Sequence, residues 1–378
     1  MAAGCSATFL GIGLSRFAYS PLLPAMVQSG WLGPGAAGAL GAANLGGYLA
    51  GALAATLVGR SIGIGRALKF CMLLSAAAFA FCAIRGSLLW FLPWRVLAGF
   101  TGGVLMVLAG PAVQAAVPPR MRGLAGGVTI AGVGFGIIFG AVLVPAVLPY
   151  GLPAAWLALC AAGLAVSALT WAFWPPAAIP SRQRAFAAAR VPGAGRLIAV
   201  YALASFAATP HMLWWPDFIA RGLGWGTTEA ALFWLLFGIA AACGPTFCGA
   251  LADRIGTAGT ILIVLAAQAV DLVLPLLGHA LVLLIASTFL AGLTALGITA
   301  LALTRSRELA GEAGAGLWGL CSAAWGTAQT AAGFLLAWLY AATGSHLPLF
   351  AIGLAAGVLA LLVMLASPHP VPLPRPSR

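Results

Sequence analysis

Acidic residues are nearly missing from this chain: six Asp and Glu occur in 378 positions, and none precedes Asp217. Lysine occurs once, at Lys69 after Leu68, so no phosphate loop ending in Gly-Lys-Ser/Thr exists and an ATP-driven pump has no nucleotide site here. The four histidines are scattered and no His-Glu-x-x-His string occurs, which excludes a zinc peptidase of that type and implies no metal or other cofactor. Charged residues reach only 6%, against about 25% in soluble domains. A chain this poor in charge has no polar shell to give a soluble core.

What is present is apolar. Hydrophobic residues make up 62% of the chain and its mean hydropathy is +1.07, so lipid must be the solvent. The expected fold class is an all-α integral membrane protein with twelve transmembrane helices. The predicted spans are 3–27, 35–58, 67–84, 88–117, 123–148, 153–174, 196–220, 227–250, 259–278, 280–303, 313–341 and 346–367. Cys5, Cys71, Cys82, Cys160, Cys243, Cys248 and Cys321 all fall inside these spans, where they act as small apolar residues.

The net charge of +12 orients the protein in the membrane. With the N-terminus in the cytoplasm, the cytoplasmic segments hold fourteen basic residues: Arg60, Arg66, Lys69, Arg120, Arg122, Arg182, Arg184, Arg190, Arg196, Arg254, Arg305, Arg307, Arg375 and Arg378. Only Arg85 and Arg221 fall outside, and Arg16 and Arg95 lie within helices. This bias places both termini in the cytoplasm and directs the basic charge to anionic lipid, not to nucleic acid.

Residues 175–195 form the longest polar interruption and read as a cytoplasmic basic linker. It separates an N-terminal six-helix half, 1–174, from a C-terminal half, 196–367, with a cytoplasmic tail at 368–378. Three internal matches support pseudo-symmetry. Phe17-Ala18-Tyr19-Ser20-Pro21 matches Phe206-Ala207-Ala208-Thr209-Pro210, Gly51-Ala52-Leu53-Ala54 matches Gly249-Ala250-Leu251-Ala252, and Leu97-Ala98-Gly99-Phe100-Thr101 matches Leu290-Ala291-Gly292-Leu293-Thr294.

Several strings carry a family resemblance. Gly249-Ala250-Leu251-Ala252-Asp253-Arg254-Ile255-Gly256 resembles the cytoplasmic signature loop of the major facilitator superfamily, which implies a gating role for Asp253 and Arg254. Arg95-Val96-Leu97-Ala98-Gly99-Phe100-Thr101-Gly102-Gly103 resembles that superfamily's motif of an intramembrane arginine followed by glycines. Gly123, Gly132, Gly136 and Gly140 resemble its antiporter series in part, and close helix packing explains such spacing equally well. Gly11-Ile12-Gly13-Leu14-Ser15-Arg16-Phe17-Ala18-Tyr19-Ser20-Pro21 and Ala43-Asn44-Leu45-Gly46-Gly47-Tyr48 resemble the opening of the YbfB/YjiJ-type subfamily. The resemblance implies a secondary transporter of a bacterial inner membrane, working by alternating access, with export favoured by the antiporter series. It would act as a monomer, with protons as the coupling partner.

The site such a fold requires lies near the midplane. Arg16, Tyr19, Asn44, Tyr48, Arg95, His211, Trp214, Trp325 and Gln329 are the candidate substrate-binding residues, and Asp217 and Asp271 are the candidates for proton coupling. An arginine in a span needs an anion, a carbonyl or water, and the N-terminal spans hold no acid. A small organic substrate bearing a carboxylate or phosphate would supply one. The alternatives are efflux of lipophilic or multiple drugs between tryptophan-rich walls and, from another class, a membrane receptor without flux.

Overall fold

The computed structural model describes residues 1–118, 121–174 and 190–366. Arg120, linker residues 175–189 and the tail from 367 lie outside the described residues, as do the surroundings of Gly123. Helices follow one another throughout, with no strand among the described residues. Helix α1 (residues 2–28) is built from Ala2–Thr8, a π-helical stretch Phe9–Phe17, and Tyr19–Gln28. It is followed by α2 (Pro34–Ile62), α3 (Ile64–Cys82), α4 (Leu88–Ala115), α5 (Arg122–Val147) and α6 (Leu152–Thr170). Beyond the undescribed linker come α7 (Ala194–Gly222), α8 (Thr227–Ile255), α9 (Thr257–Leu277), α10 (Leu281–Ala310), α11 (Gly314–Thr343) and α12 (Leu347–Leu365).

Ten helices among the described residues are long and apolar enough to cross a membrane. Continuous helix is the form such sequence takes, because it satisfies every backbone donor and acceptor without water. The other two long elements are α1, interrupted by its wide turn, and α11, whose 30 residues bury Trp318, Trp325 and Gln329.

Packing is dominated by glycines. Helices α2 and α4 cross with backbones in contact: a Cβ on Gly47 or Gly51 would strike the carbonyls of Val96 or Phe100, and one on Gly99 or Gly103 those of Asn44 or Tyr48. The same arrangement joins α8 and α10, where Gly244 faces the Leu293 carbonyl and Gly292 the Phe237 carbonyl. The equivalent pairs are Gly99 with Gly292, Asn44 with Phe237, and Gly51 with Gly244, each separated by 193 positions. The register of the second sequence match therefore shifts by five residues, and a Cβ on Gly249 would meet nothing within 4 Å. The 193-residue interval also pairs the glycines that end α2 and α8, Gly63 at φ 85° and Gly256 at φ 83°. Helix α8 runs through Asp253 and Arg254 to that glycine, so these two residues form a last helical turn where the sequence reading placed a loop.

Neighbour relations follow suit. Helix α3 lies against α4 and α6 as α9 lies against α10 and α12, and α1 meets α5 as α7 meets α11. The two sets touch along α2–α11 and α5–α8. Gly132, Gly136 and Gly140 of α5 all face α1, against Cys5, Gly13 and Ala18, so close packing accounts for their spacing.

Candidate functional site

Two departures from regular helix bring the central residues together. In α1 the stretch Phe9–Phe17 widens to a π-helix, and in α7 the turns Pro210–Trp214 and Phe218–Gly222 do the same around the helical segment Trp215–Asp217. Pro210 and Pro216 have no N–H to donate, which loosens the backbone ladder there. The two widened regions face each other. Arg16 Nη2 lies 3.7 Å from the Met212 sulfur, Gln329 Nε2 of α11 lies 3.1 Å from the same sulfur, and Ser20 Oγ donates to the Met212 carbonyl at 3.2 Å.

Around this meeting point stand aromatic rings. The Arg16 guanidinium sits 5.0 Å from the Phe17 ring, with the phenols of Tyr48 and Tyr201 in its neighbourhood. Tyr48 packs on Gly326 of α11. Tyr201 donates to Thr299 Oγ1 at 3.2 Å, and its ring lies 4.5 Å from that of Trp325. Trp325 is positioned in turn by Ser205 Oγ, which donates to its carbonyl at 2.8 Å. Arg16 has no carboxylate partner among the described residues, and Gln329 Oε1 and Ser322 Oγ are buried without partners. A thioether is a weak acceptor. The cluster thus presents a fixed positive charge and an amide with unmet hydrogen-bonding capacity between aromatic walls.

Of the residues singled out in the sequence, the structure brings Arg16, Tyr48, Trp325 and Gln329 together. Arg95, Tyr19 and Asn44 form a separate network within α1–α6. Arg95 Nη1 donates to the Ser15 carbonyl at 2.8 Å, its guanidinium stacks 4.3 Å from the Tyr19 ring, and Trp156 lies beyond at 6.0 Å. Tyr19 donates to the Ala37 carbonyl at 2.7 Å, and Asn44 Nδ2 to the Arg95 carbonyl at 3.0 Å. Tyr19 turns to the Arg95 guanidinium, whereas Ser20 and Arg16 both meet Met212. Trp214 lies over Gly38 of α2, beside Leu213 on Gly41.

The acids divide sharply. Asp217 is buried, with both oxygens engaged: Arg221 binds Oδ1 and Oδ2 at 2.5 and 2.6 Å, and His346 Nε2 meets Oδ2 at 2.9 Å. Asp271 is equally buried, but among the described residues its carboxylate accepts only from Thr294 Oγ1 at 3.2 Å, with His211 Nδ1 3.7 Å from Oδ1. Asp253 is exposed and makes no ion pair with a described side chain. Gly59-Arg60-Ser61-Ile62-Gly63 has hydrolase-elbow spacing. It ends a helix instead of joining strand to helix, and Ser61 Oγ is bonded to the Val58 carbonyl at 3.0 Å.

Sequence reasoning missed Met212, Tyr201 and Ser322. Tyr201, Ser205 and Thr209 recur every fourth residue on an apolar helix, a polar stripe that was legible. Met212 carried no signal, because methionine ordinarily reads as core filler.

The family model described as "Uncharacterised MFS-type transporter YbfB" matches residues 8–365. No curated protein matches the chain.

Proposed function

The chain belongs to that YbfB-type family of the major facilitator superfamily, and from this premise we propose that it carries a small organic anion across a bacterial inner membrane by proton-coupled alternating access. In this reading twelve spans form two six-helix halves, 1–174 and 196–367, joined by the cytoplasmic linker 175–195, with a cytoplasmic tail at 368–378. The recurrence of helix neighbours in α7–α12 and the 193-residue interval between glycine crossings support it. The protein acts as a monomer, and export is the direction that the partial antiporter series favours.

The state at hand reads as closed on the outer face. Trp214 and Leu213 cover the outer part of α2, and Gly326 and Gly333 of α11 pack against Tyr48, Leu49, Leu45 and Ala42. Toward the cytoplasmic ends a Cβ on Gly127 or Gly319 would meet nothing within 4 Å. Rocking the halves about the Arg16–Met212–Gln329 meeting point would expose the site to either side in turn.

One observation carries the substrate class: the Arg16 guanidinium, between α1, α7 and α11, has the Met212 thioether as its hydrogen-bond acceptor. A carboxylate there could accept from both Arg16 and Gln329 while its organic body lies on Tyr48, Tyr201 and Trp325. Charge-assisted hydrogen bonds of this kind contribute about 1.5–3 kcal/mol. Arg16→Lys should therefore weaken an anionic ligand by roughly 10- to 100-fold. The test is thermal stabilisation of purified protein by matched anionic, neutral and cationic compounds. Stabilisation by lipophilic cations alone, unchanged by Arg16→Lys, would favour drug efflux and end the anion reading.

A further inference from the structure

The Pro210–Trp214 turn has two sides with different chemistry. Met212 meets Arg16 and Gln329, while the preceding His211 meets α9 and α10, buried to 1% exposure. Hydrogen-bond bookkeeping fixes the tautomer of His211. Ser287 Oγ has a single proton, and it is donated to the Asp271 backbone carbonyl at 2.7 Å. The 2.8 Å contact between Ser287 Oγ and His211 Nε2 then requires Nε2 to be the donor. In a neutral ring Nδ1 is left as an acceptor. It has no partner and faces Asp271 Oδ1, another acceptor, at 3.7 Å.

Two acceptors face each other across a buried gap with no proton between them. A carboxylate in so apolar a setting leaves a net negative charge that only one neighbouring hydroxyl, Thr294, answers. One proton placed between Nδ1 and Oδ1 would convert this opposition into a hydrogen bond and make the pair neutral overall. The hydrogen-bonding and ring contacts of the pair are with Ser287 and Thr294 of α10, the Phe350 ring of α12 at 5.3 Å and the Trp215 ring at 4.5 Å. Among these described neighbours none is ionisable, so the pair holds its proton alone. Asp217 offers no such vacancy, since Arg221 and His346 fill both of its oxygens.

We propose that the His211–Asp271 gap is the binding site of the coupling proton, and that the Pro210–Trp214 turn transmits its occupancy to the substrate cluster. The proposal rests on the proton-coupled reading above and names where that proton sits. Closing the 3.7 Å gap draws His211 toward α9. Because the turn is short, the movement reaches Met212, which contacts Arg16 and Gln329, and Trp214, which covers Gly38. Proton binding on one side of the turn thereby changes both the substrate subsite and the outer cover.

The test needs no transported substrate. Purified protein in lipid nanodiscs is titrated with acid while infrared difference spectra follow carboxyl and imidazole bands. The emission of Trp214, taken as wild type minus Trp214→Phe, reports the outer cover over the same titration. The expected result is a protonation band and a Trp214 response in the wild type, both lost in Asp271→Asn and in His211→Gln, and both kept in Asp217→Asn. The second variant guards against a folding failure of the first. Retention of both signals in Asp271→Asn or His211→Gln, or their loss only in Asp217→Asn, would overturn the assignment. A wild type with no protonation band would count against the proton-coupled reading itself, whereas a band that persists in Asp271→Asn overturns only this site; the anion reading is tested separately by Arg16→Lys against added ligands.

Discussion

Replacing Gly99 by alanine tests the α2–α4 crossing on which the positions of Asn44 and Tyr48 depend. The new Cβ would lie well inside contact distance of the Asn44 carbonyl, a backbone atom that cannot rotate away. Restoring ordinary separation requires the helices to part by roughly 1 Å, which forfeits up to about half of each dispersion contact nearby. Overpacking of this kind costs about 1–3 kcal/mol. The Asn44–Arg95 hydrogen bond, 3.0 Å long across the same crossing, would stretch and lose about 1 kcal/mol more. Against this, alanine gains about 0.5–1 kcal/mol over glycine as a helix former. The net expectation is a loss of roughly 1–3 kcal/mol. Gly127→Ala and Gly319→Ala supply the control, since a Cβ at either meets nothing within 4 Å and only the helix-forming gain remains. Melting temperatures of the purified variants in detergent should therefore move in opposite directions. If Gly99→Ala melted at or above the wild type alongside the two controls, the close-packed crossing would be wrong.

Two further expectations follow from charge. Asp217→Asn should lower the melting temperature by leaving Arg221 and His346 without their shared anion, a loss of about 1–3 kcal/mol, and Arg221→Gln in the same chain should recover part of it; additive losses would mean the three side chains are not coupled. A reporter fused near Arg184 should read cytoplasm and one near Pro153 periplasm, and the reverse pattern would overturn the orientation drawn from the arginines.

The helical class was legible because it follows from solvation: apolar composition demands helix in lipid, and by the same physics a lone arginine demands a partner, which singled out Arg16 and Arg95. Arg16 and Arg95 were not distinguishable on those grounds, since each is an arginine within a predicted span. Their difference comes from the neighbours they find. Arg95 reaches the Ser15 carbonyl and the Tyr19 face inside its own bundle, whereas Arg16 points across to α7 and α11. The registers of the internal matches were partly obscured by composition: Gly51 pairs with Gly244 and not with Gly249, because Ala and Gly recur so often that several alignments look equal. His211 and Asp271 lie 60 positions apart, and only the packing of α7 on α9 and α10 brings them together.

The widened turns also determine what holds the two helix sets together at the centre. Carbonyls in and beside them accept from other helices: Ser15 from Arg95, Phe17 from Trp234 Nε1 at 3.1 Å, and Met212 from Ser20. The first bond lies within α1–α6 and would survive the proposed separation of the sets, while the other two join α1 to α8 and α7 and would break in it. Both are neutral, at about 1 kcal/mol each, so this part of the closure is cheap to undo. Neither donor carries a formal charge for salt to screen. In the alternating-access reading proposed above, these two bonds would therefore give ionic strength little hold on the balance between open and closed forms.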